Sequence, residues 1–272
     1  MSQKTFFKKT GKLPGKTVAI FCGVHGDETA GIKAVDYLRE NLEVKAGTVH
    51  LVYANPKAIK KKVRFTEANL NRQFIRNKEK DSYESKRAFE LMKLLDTCDA
   101  LLDLHAYTEP SGQAEPFVIT ESNALEIVKN FEIEKILLGI DDIEKGGSDG
   151  YMSNRGKIGI CVELGAKETP EKFIELGIKT VYQSLQYFDM VEQRFENNQI
   201  EQKLMRAVGM HKRKNEKFSF EDKYKTFSFI KKGTHFCTDG EEKLIAQEDQ
   251  YLLFPRDNDA IGVEAFISAK AL

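Results

Sequence analysis

Short β-rich runs alternate with longer runs of helical spacing from residue 17 to about residue 195. That alternation restricts the chain to a layered α/β architecture. TVAIFC (17–22), TVHLVY (48–53), ALLDLH (100–105), PFVIT (116–120) and IGICVEL (158–164) read as strands. The first and third are almost continuously apolar, which predicts central strands covered on both faces of a mostly parallel or mixed sheet. Helical spacing runs over 28–41, 81–95 and 171–195, with a shorter candidate at 122–131; Asp81 and Thr169-Pro170 are the expected helix starts.

The texture changes after residue 196. A charged stretch, ENNQIEQK, leads into KTFSFI (225–230), THFCT (234–238), EKLIAQ (242–247), YLLFP (251–255) and GVEAFIS (262–268), with no helix-length pattern between them. The expectation is a catalytic domain over 1–197 and a small all-β module over 198–272.

Acidic and basic residues balance at 42 each, which argues against a nucleic-acid partner, since binding phosphates calls for a basic excess. The N-terminal MSQKTFFKKTGKLPGK has no apolar run long enough for a signal peptide, and no stretch of about 18 apolar residues could span a bilayer. A cytoplasmic protein without a membrane partner is expected, and nothing indicates an oligomer. Cys22, Cys98, Cys161 and Cys237 are far apart and never form CxxC. They read as small buried residues in a reducing compartment rather than as disulfides or thiolate ligands.

The sharpest local feature is GVHGDETAG (23–31), directly after the first strand. In a turn that feeds a helix, the HxxE spacing lets His25 and Glu28 converge on one cation, and Gly23 and Gly26 let the backbone bend around it. A lone HxxE arises by chance in many chains. The sequence DLH (103–105) adds His105 at the end of another apolar strand, where α/β sheets gather ligands. His50, His211 and His235 lack such a context. In CVELG (161–165), Glu163 interrupts an apolar strand, where a carboxylate is costly to bury without a partner or a task. Two histidines and a glutamate leave one tetrahedral position of zinc open, and a further carboxylate can serve there as general acid and base. The segment at 54–74 is locally basic. Its lysines at 57–62 read as a solvated loop, whereas Arg64 and Arg72 suit bidentate carboxylate recognition.

HxxE, Asn55-Pro56 followed by Arg64 and then Asn71-Arg72, a strand-terminal DLH and a late ELG occur in that order. Together they resemble the succinylglutamate desuccinylase and aspartoacylase family of the zinc carboxypeptidase clan. The resemblance covers residues 18–165 and extends to the β-rich tail, where EEKLIAQEDQYLLFP and GVEAFI look like the family's C-terminal domain. It implies a phosphorylase/hydrolase-like α/β fold and one zinc ion per chain on His25, Glu28 and His105. It further implies Glu163 as general acid/base, Arg64 as the oxyanion-stabilising arginine, and Asn71 with Arg72 as the substrate-carboxylate pair. Arg155, eight residues before Glu163, is a candidate additional clamp. Two departures stand out. Where the family often shows DLNR, this chain has Asn69-Leu70-Asn71-Arg72, and FPRDNDAIGVEAF (254–266) lacks the tyrosine-bearing segment of vertebrate aspartoacylases.

The implied activity is zinc-dependent hydrolysis of the amide bond of a small anionic N-acyl amino acid. N-succinylglutamate-like compounds are preferred over N-acetylaspartate-like ones. Two alternatives remain open at this point: a zinc carboxypeptidase acting on peptides, and a zinc- or anion-binding protein without turnover.

Overall fold

The computed structural model describes residues 5–109, 114–167, 170–195, 200–257 and 260–272. Its first half contains β1 (Phe6–Thr10), β2 (Leu13–Cys22), α1 (Thr29–Asn41), β3 (Ala46–Tyr53), α2 (Pro56–Lys61), α3 (Tyr83–Leu95) and β4 (Ala100–Tyr107). Then follow β5 (Phe117–Thr120), α4 (Leu125–Val128), β6 (Lys135–Leu138), α5 (Ile140–Ile143), α6 (Ser148–Ser153), β7 (Ile158–Ala166) and α7 (Ile174–Tyr187). The remainder is β8 (Lys203–Lys212), β9 (Phe218–Phe220), β10 (Ser228–Ile230), β11 (His235–Asp239), β12 (Glu242–Ile245), β13 (Gln250–Leu253) and β14 (Glu264–Ala271).

Eleven strands form one mixed sheet in the order β1-β3-β2-β4-β7-β5-β6-β8-β14-β13-β10, and β12-β11-β9 form a small antiparallel sheet. The centre, β3-β2-β4-β7, is parallel. All eight residues of β4 are buried, as the continuous apolar run at 100–105 predicts for a strand covered on both sides.

Period-two alternation sorts the central strands. Ile20, Leu102, Leu104, Ile160, Val162 and Leu164 pack with Ala34, Leu38, Val181 and Leu185 of α1 and α7. Ala19, Phe21 and Leu101 face Leu91 and Leu95 of α3 and Met152 of α6 on the opposite side. Asp103, His105 and Glu163 belong to this second face by the same alternation, one strand residue beyond the apolar set.

Several elements depart from the expectations. The helix anticipated over 171–195 runs from Ile174 to Tyr187, after a single 3-10 turn at Pro170–Phe173. Thr169 lies outside the described residues. The start expected at Asp81 is displaced to Ser82, whose hydroxyl accepts from the Ser85 N–H in a capping box. The lysine run is a helix rather than a loop: α2 has Pro56 in its first turn and Asn55 accepting from the Ala58 N–H. β1, with two lysines after two phenylalanines, and β6, apolar but only four residues long, give little signal. Beyond residue 200 no helix occurs among the described residues, yet β8 pairs parallel with β6 and β14 antiparallel with β8, so the main sheet continues into the tail. All four cysteines are free and buried.

Candidate active site

His25 and Glu28 sit on the turn between β2 and α1. Gly23 opens that turn at φ +61°, and a Cβ on Gly26 would lie 2.0 Å from the backbone carbon of Ala58, so the turn can lie against α2 only with glycine there. Glu28 occupies the N-cap position of α1, but its side chain makes no capping bond. It faces two imidazoles instead: His25 Nδ1 stands 2.6 Å from Glu28 Oε1, and His105 Nδ1 3.1 Å from Oε2. The Ala106 N–H donates to Oε2 at 3.1 Å. The two rings meet edge-on with centroids 5.2 Å apart. One ligand atom from each of the three buried residues lies within 4.8 Å of the others.

The outward nitrogens have supports of their own. His25 Nε2 is 3.0 Å from Asn69 Oδ1, which also accepts the Asn71 N–H. His105 Nε2 is 3.2 Å from Asp103 Oδ2, an oxygen that accepts from the Ser148 hydroxyl. Burial lowers the His25 pKa, with the Glu28 carboxylate opposing it. Burial also disfavours charge on His105, but Asp103 and Glu28 outweigh it and hold that imidazole well above its usual value. Two inward Nδ1 atoms, one carboxylate, a hydrogen-bonding oxygen behind His25 and the Asp103 carboxylate close to His105 Nε2 make a donor set that fits zinc.

Glu163 lies beside this cluster. Burial pushes its carboxyl up to about 7; the neighbouring His105 opposes the rise and Glu28 adds to it. Its Oε2 is buried and has no hydrogen-bond partner, an expense ordinarily found where a group has work to do. Arg64 directs Nη1 at Glu28 Oε1, 3.4 Å away. Asn71 Oδ1 accepts the Ser148 N–H at 3.3 Å. Arg72 donates to the Asn71 carbonyl at 2.7 Å and forms an ion pair with Glu144.

His25, Glu28, Arg64, Asn71, Arg72, His105 and Glu163 all line one cleft of about 470 Å³. Arg155 does not join them. Its guanidinium lies 3.6 Å over the Tyr151 ring and donates to the Tyr151 carbonyl, and it lines a separate cavity with Arg76 and Lys145. The turn that follows α6 carries it there, an orientation that spacing from Glu163 does not reveal.

The sequence reading missed other residues of the cleft. Asn69, which lines the cleft, and Asp103, buried behind His105, were within reach because each sits two residues from a singled-out position. Glu144, Lys212, Arg256 and Glu264 also line it; they come from distant segments with no motif. Glu264 is pushed up to about 7 by burial and by Glu144, with Arg256 and Arg72 opposing.

A layered α/β chain of this kind has known counterparts. Residues 14–186 match the model of the Succinylglutamate desuccinylase/Aspartoacylase catalytic domain, and the chain belongs to that family. It is 26% identical to the succinylglutamate desuccinylase of Vibrio vulnificus (strain CMCP6) over 276 residues, 92% of this chain and 79% of the relative. Identity to the aspartoacylase of Mus musculus is 37% over 116 residues, 37% of either chain. An N-acyl-aromatic-L-amino acid amidohydrolase (carboxylate-forming) of Xenopus tropicalis is 29% identical over 170 residues, and the match spans about half of each protein (54%). In three dimensions the chain is similar to the succinylglutamate desuccinylase of Vibrio cholerae, with a TM-score of 0.83 at 21% identity over 99% of this chain and 86% of that one. No helix among the described residues is long and apolar enough to cross a membrane.

Proposed function

We propose that this protein is a zinc-dependent amidohydrolase that cleaves the amide bond of a small anionic N-acyl amino acid. The observation that carries the reading is the meeting of His25, Glu28, His105, Glu163 and Arg64 in one cleft. The names of the three relatives point the same way, since each describes an enzyme acting on an acylated amino acid.

When bound by His25, Glu28 and His105, zinc would supply Lewis acidity to the scissile carbonyl and the attacking water. Arg64 places a permanent positive charge beside that position, where an oxyanion develops. Glu163, with its pKa raised to about 7, takes a proton from water and returns it to the departing nitrogen, and a pKa near the working pH suits both tasks. Asn71 and Arg72 grip the substrate carboxylate, the planar guanidinium matching its two oxygens. Substrate binding then has to displace Glu144 from Arg72.

Peptides are poorer candidates. Lys212, Arg256, Val263 and Glu264, from the C-terminal segment, line the same cleft, whose volume of about 470 Å³ is that of a small-molecule pocket. A binding protein without turnover would need neither a buried, unpartnered Glu163 nor Arg64. The test is amine release from a panel of N-acyl amino acids, N-succinylglutamate and N-acetylaspartate included, beside C-terminally extended peptides, using zinc-loaded protein. Release from peptides alone would overturn the substrate class, and release from none would overturn the enzyme.

A further inference from the structure

α3 begins with a carboxylate turned away from water. Glu84 is completely buried, and its partners are neutral donors from the segment that carries the cleft arginines. Its Oε1 accepts the Thr66 N–H and Thr66 hydroxyl, both at 2.7 Å, and the Asn55 amide at 3.2 Å. Its Oε2 accepts the Glu67 and Ala68 N–H groups, each at 3.1 Å. Burial raises the carboxyl pKa, but these donors prevail and hold it below the usual range, the behaviour of an anion solvated by fixed N–H dipoles.

The tie is reciprocal. Glu67 accepts the Tyr83 N–H at 2.6 Å, at the start of α3. Asn55, which donates to Glu84, also caps α2. At the other end of the segment the Arg64 carbonyl accepts the Gly26 N–H from the metal-binding turn. Residues 66–68 are thus held midway between Arg64, which reaches Glu28, and the 69–72 turn, which carries Asn71 and Arg72.

We infer that Glu84 is a positioning residue for catalysis: by gathering three consecutive backbone N–H groups it sets the spacing between Arg64 and the Asn71–Arg72 pair. Glu84 touches no substrate. It fixes how far the carbonyl-facing arginine stands from the carboxylate-gripping one, and hence the length of substrate that engages both. This inference rests on the functional reading above.

The test compares wild type with Glu84→Gln, which keeps side-chain size but replaces one acceptor oxygen by a donor. Two readouts are taken. Amide hydrogen exchange at residues 66–68 is expected to accelerate at least tenfold while the central strands stay protected. On the best carboxylate-bearing substrate, kcat/KM is expected to fall on the order of 10²-fold, the scale of a roughly 1 Å misplacement, with KM rising. An amidated analogue lacking the carboxylate should lose much less of its rate, a selectivity that general loosening of the fold does not produce. Unchanged exchange would overturn the tethering, and faster exchange with equal losses on both substrates would overturn the positioning role. If wild type hydrolyses nothing, the functional reading fails, and exchange alone decides whether Glu84 tethers the segment. Should Glu84→Gln not fold, Thr66→Val removes only the hydroxyl donor and is expected to shift both readouts the same way by less; no shift in either refutes the inference.

Discussion

Glu163 and His105 are register partners across the adjacent parallel strands β7 and β4. The side chain we propose to move protons and one we propose to hold the metal are therefore set against each other by main-chain hydrogen bonds rather than by loops. Asp103 and Cys161 form the pair two residues back on the same face, so the support behind His105 comes from the same ladder. A site built on strands holds its geometry to fractions of an ångström, which general acid–base chemistry requires.

The donor set of His25, Glu28 and His105 leads us to expect one tightly held zinc ion per chain. Elemental analysis of purified wild type, His25→Ala and His105→Ala checks this. Wild type should carry close to one equivalent, and each variant a small fraction of it after dialysis against a chelator. Full zinc in both variants would remove the metal from the account.

Glu163→Gln should leave zinc content and circular dichroism unchanged while lowering turnover roughly 10²–10⁴-fold, the usual worth of a positioned proton-transfer group. The buried Oε2 lacks a hydrogen-bond partner, so replacing the carboxylate by an amide leaves no former partner stranded. A rate near that of wild type would make Glu163 a structural residue.

How much of this was legible in the sequence follows from which physical signals are local. β2, β4 and β7 announced themselves because strands buried on both faces must be apolar almost throughout. His25, Glu28, His105 and Glu163 stood out as polar residues at the ends of those runs. α2 was misread because its lysines dominated, although Asn55-Pro56 is a helix start in plain view. Arg155 lines another cavity, and spacing along the chain says nothing of which way the turn after α6 points. The carboxylates that meet Arg72, Glu144 and through it Glu264, could not be read at all: they come together only when β14 pairs with β8 and brings the tail to the cleft. Nor does composition reveal that the main sheet runs on through residue 203.

Stability at low pH should depend on Asp239. Burial raises its carboxyl pKa, but the Lys214 and Asn215 N–H groups and His211 bring it down to about 2. With the folded value below that of the unfolded chain, the stabilisation is complete above about pH 4 and is lost as the pH falls through about 2. Asp239→Asn should therefore lower stability at pH 7 by about 2 kcal/mol. The gap should close toward pH 2 in urea titrations. A gap of constant size across that range would show that packing of His211 against Phe218 and Phe266, rather than charge, is what the substitution disturbs.

The arginines offer the most discriminating comparison. Arg64 points at Glu28 and is expected to act on the scissile carbonyl, whereas Arg72, beside Asn71, is expected to grip the substrate carboxylate. Contacts that strengthen only in the transition state affect kcat, and contacts made equally in both states affect KM. Arg64→Ala should thus chiefly lower kcat, and Arg72→Ala should chiefly raise KM. The second loss is on the scale of a charge-assisted hydrogen bond, about 1.5–3 kcal/mol. An amidated substrate should be poor for wild type yet lose little more with Arg72→Ala, because the partner of that arginine is already gone. Such non-additivity marks a direct contact. The competing account is that Arg72 only braces the cleft through its ion pair with Glu144. Carboxylate and amidated substrates would then suffer equally from Arg72→Ala, and Glu144→Gln would reproduce the loss. That pair of results would strip Arg72 of its role in substrate recognition.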